Sequence, residues 1–263
     1  MGDAAARQAA FAAEHAGRWC DADAARSYAS RPPYPDETFD VLESLIADEP
    51  RAVLDVGCGT GKLARPLAVR VARVDAVDLA KEMIEEGTRL PGGAARNLRW
   101  QVARAEDATL DPPYALIVGG ESLHWLDFRA ALPRFARALT RNGVLAAVHP
   151  DDSEAAPWRD GLLEIIKRHS TAKDYAPFDM FAAWEGAGLF RKLGERVTAP
   201  VEFAQTVDAF IDSHHARSTL VRAHIDAEQF GRELRELLAP HCPDGVLRRA
   251  IRGQIVWGVP LAT

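Results

Sequence analysis

The sequence predicts an α/β fold built around a doubly wound parallel sheet. Short apolar runs alternate with amphipathic segments over residues 52–149, in strand–helix units of the length that parallel sheets require. The first run, residues 52–56, is apolar apart from one acid, as expected for a strand buried on both faces. A glycine-rich turn follows it and leads into a segment with helical spacing.

Composition sets the limits of this fold. The chain has 263 residues, 48 % of them hydrophobic, so a full core can be buried. The net charge of −6 argues against non-specific binding to nucleic acid or anionic membrane. The three cysteines form no C-x-x-C pair, which indicates neither a disulfide framework nor a zinc site. With no leader or membrane span recognised, we expect a cytoplasmic protein that needs no metal, nucleic acid or membrane.

The predicted elements follow from these alternations. The predicted strands of the first half cover residues 52–57, 71–79, 98–104, 113–120 and 144–149. The predicted helices between them cover residues 61–70, 80–90 and a segment from residue 128 to near Gly143. In the second half the pattern predicts helices over 157–170 and 226–239, one strand over 196–204 and a closing strand over 247–259.

The same alternations predict four regions. Residues 1–36 form an N-terminal helical lid that ends at the helix-breaking RPPYPD, and residues 37–150 form the ligand-binding core. Residues 151–225 form a cap that binds the substrate. Residues 226–263 supply a last helix and the closing strand of the core.

The glycine turn is the main functional signal. Gly57, Gly59 and Gly61 lack a Cβ atom, so the backbone can turn sharply and approach a ligand closely. In open parallel sheets, ligands bind beyond the carboxyl ends of the strands, where the next helix offers unpaired N–H groups. We therefore expect a ligand that contains a nucleoside.

Acidic residues narrow the class of nucleoside. Asp78 ends the second predicted strand, where a carboxylate can accept hydrogen bonds from both hydroxyls of a ribose. Glu106 and Asp107 follow the third strand, where an acid could face an adenine amine. Asp55 precedes the turn, and the glycines are spaced G-x-G-x-G, unlike the G-x-G-x-x-G of dinucleotide sites. So many carboxylates favour a cationic ligand without phosphate.

The motifs VLDVGCGTG, VDAVDL, ARAED and YALIVGGESLHW, in this order, resemble those of class I S-adenosylmethionine-dependent methyltransferases. The stretch YASRPPYP and the His124–Trp125 pair are similar to a bacterial small-molecule subgroup that includes trans-aconitate methyltransferase-like proteins. The resemblance covers residues 24–150 well and the remainder loosely. It implies a Rossmann-like sheet of seven strands with the last strand antiparallel, S-adenosylmethionine as cofactor and S-adenosylhomocysteine as product.

The resemblance also implies roles for individual residues. Asp78 would hold the ribose, and Arg31 of the lid could pair with the cofactor carboxylate. Glu121 would lie under the sulfonium, at a position that is often an amide or a small residue in relatives, which leaves the type of acceptor open. The implied cofactor contacts are Tyr28, Arg31, Asp55, Gly57, Gly59, Gly61, Asp78, Leu79, Met83, Ala105, Glu106, Asp107, Gly120 and Glu121.

Methyl transfer from a sulfonium is an in-line displacement, so the protein must align acceptor, methyl and sulfur and exclude water. A base is needed only if the acceptor loses a proton. His124 is the candidate base because histidine takes a proton near neutral pH, and Glu121 is the second candidate catalytic residue. The residues predicted near the acceptor are Tyr34, His124, Trp125, His149, Trp158, His214 and Ser218.

The predicted function is therefore methylation of a small molecule at oxygen, nitrogen or carbon, by a monomer or a homodimer. Three alternatives stay open. A carboxyl O-methyltransferase of the trans-aconitate type would need arginines at the acceptor pocket, and Arg248, Arg249 and Arg252 could serve an anionic acceptor. The others are an NAD-dependent oxidoreductase and a domain that binds the cofactor without catalysis.

Overall fold

The computed structural model describes residues 22–152, 156–173 and 179–262. The predicted helices of residues 1–21 lie outside this part of the chain. The described strands are β1 Ala52–Val56, β2 Arg73–Asp78, β3 Leu98–Val102, β4 Tyr114–Gly120, β5 Leu139–Asp152, β6 Phe190–Val197, β7 Val201–Thr206 and β8 Val246–Pro260.

Helices connect these strands and cover the sheet. The α-helices are α1 Ala22–Ser27, α2 Asp36–Ser44, α3 Ala64–Ala68, α4 Lys81–Arg89, α5 Phe128–Ala138, α6 Arg159–His169, α7 Met180–Gly186, α8 Val207–His215 and α9 Ala227–Leu238. Short 3₁₀ turns cover Tyr28–Ser30, Leu123–Trp125 and Arg222–His224.

The strands form one mixed sheet in the order β3-β2-β1-β4-β5-β8-β6, with β7 also paired to β8. β1 is parallel to β2 on one side and to β4 on the other, so the winding direction reverses at β1. β8 is antiparallel to β5, β6 and β7. The doubly wound parallel sheet with an antiparallel last strand is therefore confirmed.

The strand count differs from the predicted seven, because the described residues contain eight strands. The single strand predicted over 196–204 is wrong: β6 and β7 lie along the same edge of β8, with a break between them. Pro200 lies in the break and has no N–H to donate to a ladder. Beside it, Thr198 exchanges two hydrogen bonds with the backbone of Gly253, at 2.8 and 2.9 Å.

The helix predicted to end near Gly143 ends at Ala138, and β5 begins at the next residue. Three of the residues that follow, Thr140, Asn142 and Gly143, favour helices weakly. Asn142 is also held in extended backbone by Asp48, which accepts hydrogen bonds from its N–H at 2.7 Å and from its side-chain amide at 2.8 Å. The helix therefore ends before Gly143, the residue that the sequence suggests as its end.

The sheet is buried on both faces, as the composition of β1 predicts. Val53 packs on one face with Leu42 of α2 and Leu67 of α3. Its neighbour Leu54 points to the other face, where Phe135 of α5 lies. Every residue of β1 is buried. The glycine turn follows the carboxyl end of β1 directly and therefore lies at the carboxyl edge of the sheet.

Beyond this edge, α6, α8 and α9 pack together through two apolar clusters that include Trp158, Phe210 and Phe230. The lid is tied to this layer by Arg222, whose guanidinium donates to Asp23 at 2.6 Å and to Ser27 at 2.7 Å. Within the region predicted as a cap, residues 190–206 belong to the sheet, so α6 and α8 are the helices that cover the edge.

Candidate active site

Two cavities lie at the carboxyl edge of the sheet. The first, here called the glycine-turn cavity, has a volume of about 480 Å³. Its lining includes Gly57, Gly59, Asp78, Leu79, Met83, Ala105, Glu106, Gly120 and Trp125. The second, here called the arginine cavity, has a volume of about 210 Å³. Its lining includes Tyr34, Lys62, His149, Trp158, His214, Arg217 and Arg249.

The glycine turn adopts the backbone that its composition predicts. Gly57, Gly59 and Gly61 have φ angles of 64°, 54° and 77°, in the left-handed region that favours glycine. The turn is fixed to β2, because the N–H of Gly57 donates to the carbonyl of Val77 at 2.8 Å. Only the first two glycines line the cavity. A Cβ on Gly61 would instead meet the ring of Trp100 at 2.5 Å, so this third glycine allows close packing.

The turn offers a matched pair of substitutions. In Gly57→Ala the new Cβ would lie 2.5 Å from Cβ of Ser122, whereas in Gly59→Ala it would lie 3.7 Å from the ring of Tyr28. Both changes force alanine into a left-handed backbone conformation, which destabilises the folded state by about 1–2 kcal/mol. We expect the free energy of unfolding of Gly57→Ala to be about 1–3 kcal/mol lower than that of Gly59→Ala, because the new Cβ overpacks against Ser122. Urea unfolding of both variants measures the difference, and equal midpoints would contradict the close approach to Ser122.

Asp78 lies at the floor of the glycine-turn cavity. Its Oδ2 accepts the N–H of Gly59 at 2.7 Å and its Oδ1 accepts the N–H of Ala80 at 2.8 Å. Burial raises the pKa of this carboxyl. Each oxygen keeps one lone pair for a further donor, so the two backbone bonds orient the carboxylate toward the cavity.

The two acids after β3 are separated by the structure. Glu106 lines the cavity, and its Oε1 accepts the N–H of Asp127 at 2.8 Å. The side chain of Asp107 is 75 % exposed and is not among the lining residues. Of the two alternatives that the sequence left open, Glu106 is therefore the one beside the cavity.

Asp55 is placed beneath the turn and does not line either cavity. It is 1 % exposed, and its Oδ2 has no hydrogen-bond partner among the described residues. Burial raises the pKa of Asp55 to about 7. This acid supports the turn from inside the protein, although the sequence resemblance put it beside the ligand.

Three residues form a wall that both cavities share: Tyr28, Arg31 and Glu121. A guanidinium nitrogen of Arg31 lies 3.0 Å from Oε2 of Glu121, and both side chains are largely buried. The ring of Tyr28 lies close to two basic side chains, with Arg31 and Lys62 each 5.2 Å from its centroid. Lys62 also donates to the carbonyl of Arg31 at 2.6 Å, which fastens the lid to the glycine turn.

Glu121 occupies the centre of this wall. Its φ of 53° is uncommon for a residue other than glycine and marks local backbone strain. Its second oxygen, Oε1, lies 3.3 Å from Nδ1 of His149. Burial alone would raise the pKa of Glu121, but the charge of Arg31 and the hydrogen bond from His149 lower it to about 2. Glu121 is therefore ionised and holds Arg31 and His149 at the junction of the cavities.

The arginine cavity is rich in cations. Arg249 donates to Gln205 at 2.9 Å and to Asp152 at 3.2 Å. Arg217 lines this cavity, where other side chains surround it and leave part of it exposed to solvent. Burial lowers the pKa of Arg217 to about 10, so it stays charged at neutral pH. In the described part of the chain, no carboxylate lies within ion-pair distance of it, and an anion in this cavity would meet an uncompensated charge.

The adjacent residues His214 and His215 lie in different surroundings. Only His214 lines the arginine cavity. Both are buried. Nδ1 of His214 lies 2.9 Å from the carbonyl of Phe210, and Nδ1 of His215 lies 2.8 Å from that of Leu220. Burial lowers the pKa of both rings, so we expect them to be neutral.

Other predicted acceptor residues are distributed differently. Trp125 lines the glycine-turn cavity, whereas His124 and Ser218 line neither cavity. Burial lowers the pKa of His124 to about 4, which makes it a weak base at neutral pH. Among the three arginines near β8, Arg249 lines the arginine cavity, Arg248 pairs with Asp244 and Arg252 pairs with Asp151.

Sequence reasoning missed Lys62 and Arg217. Lys62 follows the last glycine of the turn and could have been noticed from that position. Arg217 lies after α8, in a region where the sequence carries no motif, and only the fold brings it to the cavity.

Residues 22–152, 156–173 and 179–262 contain neither a membrane-spanning helix nor a metal-binding cluster. No helix there is both long and apolar enough to span a membrane. No group of three or more histidine, cysteine or acidic side chains there is arranged to hold a metal ion.

Residues 53–143 match the family described as methyltransferase domain. An uncharacterized methyltransferase-like protein of Schizosaccharomyces pombe is 30 % identical, over 64 % of this chain and 63 % of its own length. A trans-aconitate 2-methyltransferase of Streptomyces avermitilis is 28 % identical, over 74 % of this chain and 79 % of its own. The chain spans less than two thirds of the first curated relatives it matches, from 63 % down to 38 %.

The fold has solved counterparts. A protein from Anaeromyxobacter dehalogenans, provisionally described as a type II methyltransferase, superposes with a TM-score of 0.61 at 22 % identity and covers 88 % of this chain and 99 % of its own. At this identity the likeness concerns the fold. With the matched domain and the ordered motifs, the chain is similar to class I S-adenosylmethionine-dependent methyltransferases in its sequence and to the Anaeromyxobacter protein in its fold.

Proposed function

We propose that this protein transfers a methyl group from S-adenosylmethionine to a small molecule that carries an anionic group. The observation that carries this proposal is the pair of cavities that share the wall of Tyr28, Arg31 and Glu121. A donor in one cavity and an acceptor in the other would meet at this wall, as an in-line transfer requires.

The glycine-turn cavity fits the donor. Its volume of about 480 Å³ lies within the range for pockets of such ligands, roughly 300–1,000 Å³. The missing Cβ atoms of Gly57 and Gly59 leave room for close approach, and the remaining lone pairs of Asp78 suit ribose hydroxyls. Met83 and Ala105 offer apolar surface for adenine, with Glu106 beside them for its amine.

The bound cofactor supplies an electrophilic methyl group on a positively charged sulfur. The chain's own residues then hold the reactants and exclude water. Tyr28 and Arg31 of the lid cover the junction, and Lys62 holds the lid in place through the carbonyls of Arg31 and Pro32. Glu121 contributes a fixed negative charge beside the junction, which favours a cationic donor.

The arginine cavity supports an anionic acceptor of limited size. Its volume of about 210 Å³ suits a small molecule better than a polymer or a folded protein. Arg217 and Arg249 can bind a carboxylate through paired N–H groups. These arginines also favour a second candidate, in which the carboxylate itself is methylated. The trans-aconitate 2-methyltransferase relatives are named for a substrate that carries carboxylates.

A methyl-transfer assay tests the proposal. The protein is incubated with S-adenosylmethionine labelled in its methyl group, and with trans-aconitate, malate or 4-hydroxybenzoate. The methyl ester of 4-hydroxybenzoate is the matched control, since it keeps the hydroxyl but lacks the anion. We expect labelled product from carboxylated compounds and much less from the ester. Equal labelling of acid and ester would contradict the anionic anchor, and bound cofactor without any transfer would favour a non-catalytic domain.

The finer predictions from the sequence belong to this proposal. A cytoplasmic location, a bacterial small-molecule role and a monomer or homodimer stay predictions, as do the boundaries of lid, core and cap. The lid and α8 meet over the site through the bonds of Arg222, which supports treating both as its cover.

A further inference from the structure

His149 lies beside the wall of Tyr28, Arg31 and Glu121 that the two cavities share. It lies near the carboxyl end of β5, paired in register with Gln254 of β8. Its side chain is 57 % exposed and lines the arginine cavity. Because Glu121 is ionised, its Oε1 can only accept a hydrogen bond from Nδ1 of His149. The neutral ring must then carry its proton on Nδ1, which leaves Nε2 with a lone pair.

We infer that His149, oriented by Glu121, takes the proton from the acceptor atom during methyl transfer. This inference rests on the proposed function, and it goes further by requiring an acceptor that reacts through a protonated oxygen or nitrogen. The acceptor would carry its anionic group separately, toward Arg217.

The step balances in atoms and charge. The acceptor oxygen or nitrogen gives its proton to Nε2 of His149 and forms a bond to the methyl carbon. The bond between that carbon and sulfur breaks, and both of its electrons stay on sulfur as a neutral thioether. The imidazolium of His149 is stabilised by Glu121 and later releases the proton to water, which reaches its exposed side chain.

His149 replaces His124, the base that the sequence predicted. His124 lines neither cavity, and burial lowers its pKa to about 4. His149 lines the cavity, and the strained backbone of Glu121 directs a carboxylate toward its ring. Strain of this kind persists where the surrounding structure requires it, and it is common at active sites.

The charges around His149 give the expected pH dependence. The hydrogen bond that His149 donates to Glu121 raises the pKa of His149, and burial lowers it. The charge of Asp151 raises it further, whereas that of Arg31 lowers it. His124 also lies near and is expected to be neutral. The net pKa lies above the ordinary 6.5, so the basic form is lost as the pH falls through this raised value. Turnover should therefore rise with pH up to that point.

A nuclear magnetic resonance experiment on the whole protein tests the inference without an acceptor. Nitrogen-15 shifts of the histidine rings report which nitrogen carries the proton and at which pH the ring titrates. We expect the Nδ1–H form for neutral His149, and a lower pKa for His149 in Glu121→Gln. A neutral ring with its proton on Nε2, or a pKa that is unchanged in Glu121→Gln, would overturn the inference.

Turnover provides the second arm, with 4-hydroxybenzoate and trans-aconitate as probes. His149→Ala should lower kcat for the hydroxyl acceptor by about 100-fold at neutral pH, as loss of a general base does, with unchanged affinity for S-adenosylmethionine. Transfer to the ionised carboxylate of trans-aconitate needs no base, so its rate should be unchanged in His149→Ala. His241→Ala, an exposed histidine outside both cavities, is the matched control.

The outcomes separate this inference from the proposed function. Full turnover of the hydroxyl acceptor by His149→Ala would overturn the role of His149 and leave methyl transfer intact. Absence of cofactor binding in the unaltered protein would instead overturn the proposed function. If neither probe is methylated, the nuclear magnetic resonance experiment decides whether the inference holds. A neutral His149 ring with its proton on Nδ1 supports it, and one with its proton on Nε2 overturns it.

Discussion

Replacement of Asp78 by alanine is expected to weaken the binding of S-adenosylmethionine by more than tenfold while the fold survives. Hydrogen bonds to a charged group each contribute about 1.5–3 kcal/mol, and 1.4 kcal/mol corresponds to a tenfold change in affinity. Two ribose hydroxyls at Asp78 would therefore exceed this threshold. The N–H groups of Gly59 and Ala80, which Asp78 now accepts, would also lose their partner and allow the turn to shift.

Calorimetric titration measures the affinity, and urea unfolding checks the fold. Asp78→Asn serves as a milder variant, because it keeps an oxygen for one backbone N–H. Asp107→Ala is the matched control, since its side chain is exposed and lies outside the cavity lining. Unchanged affinity in a folded Asp78→Ala protein would exclude Asp78 as the ribose ligand.

Arg217→Gln is expected to lower kcat/KM for carboxylated acceptors by about 100-fold and to leave the affinity for S-adenosylmethionine unchanged. A paired arginine–carboxylate contact makes two hydrogen bonds to charged groups, each about 1.5–3 kcal/mol, so its loss corresponds to a factor of roughly 100 or more. Arg217 has no carboxylate within ion-pair distance in the described residues, so its charge is available to a ligand. It lies in the arginine cavity and not in the glycine-turn cavity.

The labelled-methyl assay compares Arg217→Gln with two other variants. Arg217→Lys keeps a charge without the paired N–H groups and should lose part of the activity. Arg248→Gln removes an exposed arginine that pairs with Asp244 and should behave like the unaltered protein. The loss should be absent for the methyl ester of 4-hydroxybenzoate. A similar loss for acid and ester would mean that Arg217 supports the structure and does not bind the anion.

The central features of the fold were accessible from the sequence because local patterns determine them. The apolar run of β1 predicts burial on both faces, and the glycines after it predict a left-handed turn. These signals depend on neighbouring residues only. The break between β6 and β7 was not accessible, because it depends on pairing with β8, more than 40 residues later in the chain.

The candidate site likewise contains residues that the sequence predicts and residues whose position depends on the fold. Glycine-turn cavity residues such as Asp78 and Met83 follow motifs with fixed spacing, and the structure places them together. The resemblance assigned Asp55 to the ligand, but its side chain lies on a strand that is buried on both faces and is itself buried. The burial of His124 and the pairing of His149 with Glu121 arise only after folding, so the sequence could not predict either.

The central claim is that the glycine turn binds S-adenosylmethionine. Parallel calorimetric titrations of the purified protein with S-adenosylmethionine, S-adenosylhomocysteine and NAD test it most directly. The account predicts binding of the first two in the micromolar range and no measurable binding of NAD. Binding of NAD alone would contradict it, because the turn would then hold a dinucleotide and the arginine cavity would need a different reaction.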